Sequence, residues 1–406
     1  MKIVIVNSLY TPHIIGGAEI STQILAETLT AAAEVHVLTV GAQKRAAGID
    51  SEIINGVTVH RLPYNNLYWI GEGKDAGTLK KTGRRLIDLY NPVQIGAVRK
   101  LLDRIDPDLI HTQNLSGFGA AIWTAAKARV PIVHTLRDYS LLSPVSSPIA
   151  NPMLSRMYQW SSLGVSKRVS AVVGISSHIL KRHTSAGLFP NAARLVIPNV
   201  VDGEIAGAPK EFDRKPLRIG YFGRIEPEKG VRELVDAVRS LPREMVEQVV
   251  VCGEGGMRQK LVELCAGDDR FLFTGKVTPK EARANMAKVD VTFVPSIWEE
   301  PFGRVIIESY QVGTPVYASA VGGIPDAVWN PDDFLFKPGS AEAIAEKIAA
   351  FHGMSGDEKR IVQEHCLKHC GWFTKGSLLE NHLDLYGRIT ESGSQAYALA
   401  AANGRS

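Results

Sequence analysis

The stretch that decides the fold is PSIWEEPFGRVIIESYQVGTPVYASAVGGIPDAV, residues 295–328. The apolar, β-branched run 290–294 before it is typical of a buried strand. Pro301 fits the first turn of a helix, and the pattern predicts that this helix runs from about Phe302 to Val312. A Gly-Thr-Pro sequence ends the helix, and a second strand is predicted over residues 315–319. The stretch therefore predicts a strand–helix–strand unit.

The start of this predicted helix has the chemistry of an anion site. The N–H groups of Phe302, Gly303 and Arg304 would point out of the helix start, and the glycine lets a phosphate come close. Glu300 and Glu308 would lie on the order of 12 Å apart if both were helical. Carboxylates beside a bound anion repel it unless they bind hydroxyl groups. Glu300 and Glu308 therefore suggest a sugar on one side of the anion and a ribose on the other. The alternative is that Glu300 caps the helix and Glu308 pairs with a surface arginine.

This stretch resembles the donor-binding signature of retaining glycosyltransferases of the GT-B fold, in particular the bacterial-type group 1 enzymes of family 4. Glu300 and Glu308, separated by seven residues, match the paired-glutamate motif of that family. The resemblance implies an α/β fold with two Rossmann-like, doubly wound parallel-sheet domains that face a central cleft. It also implies a metal-independent hexosyltransferase, without a cofactor, that moves a sugar from a nucleotide-diphosphate sugar to a glycan or lipid-linked acceptor in cell-surface polysaccharide biosynthesis.

Composition excludes several other classes. A chain of 406 residues suggests two to three domains, and 45% hydrophobic with 22% charged residues is ordinary for a soluble globular protein. A net charge of +4 is too small to argue for nucleic-acid binding. The four cysteines are interpreted as reduced thiols, and no signal peptide or membrane span is predicted, so we expect a cytoplasmic protein. The spacing of His365, Cys366, His369 and Cys370 puts the histidines on one helical stripe and the cysteines on the next, and a metal site is not predicted.

The pattern at the beginning of the chain suits phosphate binding. A buried strand at residues 2–6 is followed by Gly16-Gly17 and by a helix predicted over 20–30. The G-x-G-x-x-G fingerprint is absent, and the second strand does not end in an acidic residue, which disfavours a dehydrogenase. The alternative for Gly16 and Gly17 is a tight turn, but the resemblance implies that they face the donor diphosphate.

The strand pattern restarts at residues 217–222, where Arg218 lies 216 residues after Lys2 of the first strand. Gly223, Arg224, Lys229 and Gly230 follow, and two cations five residues apart on a glycine-bounded loop suit a diphosphate. The alternative is a solvated turn. The loop also matches the Gly-Arg…Lys-Gly motif of the family, and the resemblance places the backbone of Val277 beside the nucleotide base.

The loops of the first half should line the acceptor side. His111 lies in the predicted strand 109–112, at the edge where open α/β sheets bind ligands, and the resemblance makes it a catalytic candidate. Where the family often has two further histidines, this chain has Gln113 and Arg137. Arg137, followed by Asp138, is interpreted either as a ligand for a charged group on the donor or acceptor, or as a structural ion pair with a carboxylate.

Residues 74–104 carry eight cations against three acids, a local charge of +5. An amphipathic basic helix of this kind can contact an anionic membrane surface, and a solvated helix face is the alternative. Asp106-Pro107-Asp108 is interpreted as a turn rather than as a metal motif.

The predicted domains are residues 1–200, joined by returning helices at 372–390, and residues 215–371, with a linker over 210–216 and a flexible tail over 391–406. In the predicted mechanism, Arg224 and Lys229 neutralise the leaving diphosphate, while the two glutamates hold the sugar and the ribose. A nucleotide-sugar epimerase and a non-catalytic, nucleotide-sugar-binding partner of another transferase remain the alternatives.

Overall fold

The computed structural model describes residues 1–44, 48–75, 77–143, 152–203, 205, 210, 212 and 216–390. The chain divides into two compact units. The first joins Met1–Asn199 with the segment that begins at Lys375, and the second comprises Val200–Thr374. The predicted tail over 391–406 lies outside the described residues.

The central strands of the sheet of the first unit are apolar and mostly buried, whereas the two strands at its ends are largely exposed. Its strands are β1 (Lys2–Val6), β2 (Glu34–Lys44), β3 (Asp50–Ile54), β4 (Val57–Tyr64), β5 (Leu109–Thr112), β6 (Ile132–Leu136), β7 (Ala171–Gly174) and β8 (Ala193–Val196). Their order is β3-β4-β2-β1-β5-β6-β7-β8, and every neighbouring pair is parallel except β3 and β4. The helices between them are α1 (Gly17–Leu29), α2 (Thr78–Leu89), α3 (Pro92–Ile105), α4 (Pro152–Ser166) and α5 (Ser177–Ser185).

The second unit has a fully parallel sheet. Its strands are β9 (Leu217–Phe222), β10 (Val246–Cys252), β11 (Phe271–Gly275), β12 (Val291–Val294), β13 (Val316–Ser319) and β14 (Leu335–Phe336), in the order β11-β10-β9-β12-β13-β14. Its helices are α6 (Val231–Ser240), α7 (Arg258–Leu264), α8 (Pro279–Lys288), α9 (Arg304–Gln311), α10 (Pro331–Phe334), α11 (Ala341–Gly353) and α12 (Gly356–Cys370). The prediction of two α/β domains with parallel sheets is confirmed.

The last helix, α13 (Lys375–Ile389), packs against α1 in the first unit. Leu378, Leu383 and Tyr386 on its inner face are buried. Returning helices were predicted over residues 372–390, and α13 begins three residues later, at Lys375.

The antiparallel hairpin of β3 and β4 was not predicted. Asn55 and Gly56 join the two strands and have φ angles of 50° and 82°. Positive φ at both central residues is the mark of a type I′ turn, for which Asn-Gly is the favoured sequence. The hairpin therefore had a readable signal in the sequence.

Lys210 was expected in a linker, but it is anchored in the second unit. Its ammonium group donates to the carbonyl oxygens of Val289 (2.6 Å) and Met286 (3.2 Å) and to Thr314 Oγ1. Burial lowers the pKa of Lys210 to about 8. Of the remaining linker positions, 211 and 213–215 lie outside the described residues.

The cysteine and histidine pattern near the end of α12 belongs to the packing of the second unit. Cys366 and Cys370 are buried thiols, His365 stacks on Trp329, and His369 Nε2 lies 3.2 Å from Ala327 O. Asp106 has a left-handed backbone that ends α3, which agrees with its interpretation as part of a turn. Among the described helices, none is both long and apolar enough to span a bilayer.

Candidate functional site

Two loops of the second unit interlock at one edge of its sheet. The 223–230 loop follows β9 and the 295–303 loop follows β12, and these strands are parallel neighbours, so both loops emerge at the same edge. The N–H groups of Ile297 and Trp298 both donate to Glu228 O, at 2.9 and 3.1 Å. Gly230 has φ +68°, and a Cβ there would lie 1.8 Å from Pro295 O. A glycine at this position is what lets the two backbones approach so closely.

The interlocked loops bring two of the predicted site residues together. Lys229 Nζ and Glu300 Oε1 form an ion pair, and Ser296 Oγ donates to the same carboxylate oxygen at 2.7 Å. The two charged side chains are only 19% and 17% exposed. No local pattern in the sequence predicts the bond from Ser296 to Glu300.

A third loop holds the backbone of Glu300. Gly322 and Gly323 follow β13, the next strand in the sheet, and the Gly323 N–H donates to Glu300 O at 2.7 Å. Gly322 has φ +60°, and a Cβ there would lie 2.4 Å from Glu300 O and 2.6 Å from Glu300 N. The Gly-Gly pair therefore clamps Glu300 from the side opposite the 223–230 loop.

The start of α9 differs from the prediction. The helix begins at Arg304, with Gly303 as its N-cap at φ +117°. Pro301 and Phe302 therefore precede the helix, because a residue with that positive φ cannot continue a right-handed helix towards them. Phe302 is buried, and its ring contacts Phe373 at a centroid distance of 5.9 Å. The cap of α9 is Gly303, so the alternative reading of Glu300 as the helix cap is wrong.

Glu308 forms an ion pair with Arg304 one turn earlier, with Oε1 3.0 Å from Nη2. The two side chains are 29% and 18% exposed, so the pair is partly desolvated. The alternative prediction was that Glu308 pairs with a surface arginine. The structure has such a pair, but its arginine is the largely buried Arg304 at the start of α9. The assignment of Glu308 to a ribose stays a prediction.

Arg224 extends from the 223–230 loop into solvent. Its side chain is 68% exposed, and Nη2 lies 3.7 Å from Glu228 Oε1. The backbone of Arg224 is fixed by the buried Tyr221, whose hydroxyl donates to Arg224 O at 2.5 Å. Burial and the nearby Glu300 charge raise the pKa of Tyr221, so this hydroxyl remains a donor. Gly223, at φ +157°, donates its N–H to Cys252 O at 3.0 Å and so ties the loop to β10.

Val277 follows β11 and is partly buried against an apolar cluster of the second unit that includes Phe222, Cys252 and Val289. The proximity of its backbone to a nucleotide base stays a prediction.

At the N-terminal glycines, α1 begins at Gly17, three residues earlier than predicted. The Gly16 N–H donates to Glu19 Oε2 at 2.8 Å. A carboxylate of the same helix therefore occupies a donor that was expected to face a phosphate.

We expected His111 at an open edge of the sheet. In the structure this residue is fully buried. Its Nδ1 lies 2.7 Å from Tyr386 Oη, and its Nε2 lies 2.7 Å from Thr135 Oγ1. Burial, with the neighbouring His382, holds the pKa of His111 well below its usual range. Both ring nitrogens are engaged by α13 and β6, so in this structure His111 has the surroundings of a core residue.

Arg137 is held by amide oxygens. Its Nε donates to Gln113 Oε1, and its Nη1 donates to Asn199 Oδ1 at 2.5 Å. Asp138 accepts from Asn114 Nδ2 at 3.0 Å and from the Ser140 N–H at 2.8 Å. The two residues that replace the usual histidines of the family, Gln113 and Arg137, therefore contact each other.

Comparisons with known proteins agree with this architecture. Residues 16–200 match the family model described as a glycosyl transferase 4-like domain, and residues 204–364 match glycosyl transferases group 1. An uncharacterized 42.6 kDa protein in the cps region of Klebsiella pneumoniae is 32% identical over 80% of this chain and 87% of its own length. Sucrose-phosphate synthase from Thermosynechococcus elongatus has a TM-score of 0.75 at 21% identity, covering 96% of this chain and 99% of that one. HepE from Anabaena, solved with UDP-glucose, has a TM-score of 0.66 at 19% identity, covering 97% and 100%.

Proposed function

We propose a specific reaction for this chain, which belongs to the group 1 glycosyltransferases: it transfers a sugar from a nucleotide-diphosphate sugar to a hydroxyl of a glycan or lipid-linked acceptor, with retention of configuration. The observation that carries this proposal is the ion pair of Lys229 and Glu300, partly desolvated and clamped between three loops at one sheet edge. It supports a site in which one cation and one carboxylate are preorganised side by side.

In the proposed mechanism, binding of the nucleotide sugar breaks the ion pair of Lys229 and Glu300 and gives each residue its own role. The ammonium of Lys229 turns to the diphosphate, and the carboxylate of Glu300, still bound to Ser296, accepts hydroxyls of the sugar. Arg224 is exposed and swings onto the diphosphate from solvent. Gly303 and Arg304 at the start of α9 contribute N–H groups to the same anion.

Two positively charged side chains on the 223–230 loop support a reaction without a metal. Arg224 and Lys229 together offset most of the charge that the leaving diphosphate gains. The bond between the anomeric carbon and the phosphate oxygen breaks as the acceptor oxygen attacks from the same face. The leaving phosphate oxygen takes the acceptor proton.

The setting we propose is cell-surface polysaccharide assembly on the cytoplasmic side of a membrane. The relative in the cps region of Klebsiella pneumoniae supports this setting. Peripheral contact with anionic lipid through residues 74–104 is supported by the exposed Lys80 and the partly exposed Lys81 and Arg85 of α2. Arg84 is turned inward, to an ion pair with Asp88, and is not part of that contact.

The test is thermal stabilisation of the purified chain by UDP-, GDP-, ADP- and TDP-sugars and their nucleoside diphosphates. A ligand at about 100 times its Kd should add about 2.7 kcal/mol to the free energy of unfolding. The shift should disappear in Arg224→Ala and persist in Arg232→Ala. Arg232 is the matched control because it also pairs with an acid one turn away and is 52% exposed on α6.

With the stabilising donor, product analysis by NMR should show transfer with retained anomeric configuration, unchanged by EDTA. An inverted product would overturn the mechanism, and loss of activity in EDTA would overturn metal independence. A changed sugar without an acceptor would identify an epimerase. Stabilisation without any chemical change of the donor would favour a non-catalytic partner, and no stabilisation by any nucleotide sugar would overturn the proposed function.

A further inference from the structure

The first unit contains an open pocket of about 180 Å³ between α2 and α4. Ser116, after β5, and Ser140, after β6, both line it. Because β5 and β6 are parallel neighbours, the pocket lies at the carboxyl edge of this sheet, where open α/β sheets bind ligands.

The two helices that flank the pocket contribute cationic and polar side chains to its lining. Arg84 and Arg85 come from α2, and Ser161 and Ser162 come from α4, while leucines form much of the remaining wall. Asp88 is the single acid among the lining residues that the structure describes.

Asp88 is already engaged by the protein. Its Oδ1 accepts from Asn66 Nδ2 at 2.8 Å, and its Oδ2 accepts from the Gly117 N–H at 3.2 Å. Burial raises the pKa of Asp88, while the Arg84 charge lowers it. Both oxygens of this carboxylate therefore already accept a hydrogen bond from the protein.

Arg84 has unused donor capacity. Its Nη2 lies 3.5 Å from Asp88 Oδ2, but within the described part of the chain this buried atom has no hydrogen-bond partner. The side chain is 11% exposed. Arg84 nonetheless lines the pocket, and a guanidinium that is largely removed from water binds a charged oxygen strongly.

We propose that this pocket binds a phosphate group of the acceptor, with Arg84 and Arg85 as its cations and the serine hydroxyls as further donors. The inference rests on the proposed transferase function and names the class of acceptor: a phosphorylated one.

Two sources share this chemistry, a lipid-linked phosphate and a soluble sugar phosphate. Met153, Met157 and Trp160 on α4 are exposed at helical spacing, Met153 at 74% and Trp160 at 79%, and Trp160 directly precedes Ser161 of the pocket. Such an apolar stripe is compatible with a lipid tail beside the pocket.

The experiment is hydrogen–deuterium exchange of the full chain with two matched pairs of probes: farnesyl phosphate against farnesol, and glucose 1-phosphate against methyl glucoside. At least one phosphate should slow exchange over residues 114–120 and 138–143, and its uncharged counterpart should not. Whichever phosphate protects identifies the source. Arg84→Gln should weaken that protection at least roughly tenfold in apparent Kd. Arg129→Gln, at a side chain of the first unit that is 68% exposed and outside residues 74–104, should change it less than about twofold.

If Arg84→Gln fails to fold, Ser140→Leu fills the pocket and keeps both cations, and it should abolish the protection. The proposal is overturned if neither phosphate protects these segments, if an uncharged probe protects them equally, or if a folded variant binds as the wild type does. Protection of residues 223–230 and 295–303 by a nucleoside diphosphate, read in the same samples, tests the transferase proposal separately.

Discussion

The ammonium of Lys229 pairs with the carboxylate of Glu300, although 71 positions separate the two residues in the chain. The pairing depends on the parallel contact of β9 with β12 and on the two N–H groups that bind Glu228 O. Because both side chains are less than one-fifth exposed, the pair is held in place before any ligand arrives. A site of this kind has less reorganisation to undergo when charge develops on a leaving group.

Lys229→Ala should therefore lower kcat/KM by roughly 10²–10³-fold, because it removes a cation that we place on the leaving diphosphate. The free energy of unfolding should fall by only about 1 kcal/mol, since Glu300 keeps its bond from Ser296. Steady-state kinetics and a thermal melt measure the two effects.

Lys260→Ala, at an exposed position on α7, is the control and should leave both quantities unchanged. A Lys229→Ala enzyme with near wild-type kcat/KM would mean that this ion pair is structural.

Gly322→Ala should disable the site by displacing Glu300. The new Cβ would meet Glu300 O at 2.4 Å, at a backbone φ of +60°. Gly339→Ala is a close control, since Gly339 has φ +73° and nothing within 4 Å of its Cβ position. Both variants carry the cost of positive φ, about 1–2 kcal/mol. Only Gly322→Ala should lose most of its activity as well, and equal activity in the two variants would show that the clamp on Glu300 is dispensable.

The central motif shows how far sequence reasoning reaches. The strand, the helix and the following strand at 290–319 were predicted, because apolar periodicity and Gly-Thr-Pro are local signals. The start of α9 was misplaced by two residues, because the φ of Gly303 is set by its tertiary surroundings. Proline compatibility with a first helical turn is a permissive rule and does not specify that turn.

For His111 the sequence predicts the strand but not the partners of the side chain. Its strand was predicted with the right bounds, but its partners are Thr135 and Tyr386, and Tyr386 lies 275 positions away on α13. Whether a polar residue near a strand end faces solvent or a returning helix depends on packing that no local pattern encodes. The same holds for the bond from Arg137 to Asn199.

Glu308→Ala should weaken nucleoside diphosphate binding at least roughly fivefold, if its carboxylate leaves Arg304 to accept the ribose hydroxyls. Inorganic pyrophosphate is the control ligand because it lacks a ribose. Its Kd should change less than about twofold, or decrease as Arg304 is released. Calorimetric titration separates the outcomes, and an equal loss for both ligands would assign Glu308 to positioning Arg304.

Acid should destabilise the first unit, because three of its buried histidines are held neutral. Burial lowers the pKa values of His134 to about 3 and of His183 and His382 to about 4. Between pH 6.5 and about 4 these histidines bind protons in the unfolded chain but stay neutral in the folded unit. The stabilisation is complete above pH 6.5, and each histidine loses about 1.4 kcal/mol of it per pH unit as the pH falls through this window.

His183→Phe tests this linkage, because a phenyl ring can keep the stacking on Tyr139 without titrating. Denaturant unfolding at pH 7.0 and pH 5.0 should show a smaller acid-induced loss than in the wild type, by roughly 1–2 kcal/mol. Tyr139→Phe, which keeps His183 and the ring stacked on it, should show the acid-induced loss of the wild type. If His183→Phe shows the same acid-induced loss as the wild type, the proton uptake on unfolding comes from other groups than this buried histidine.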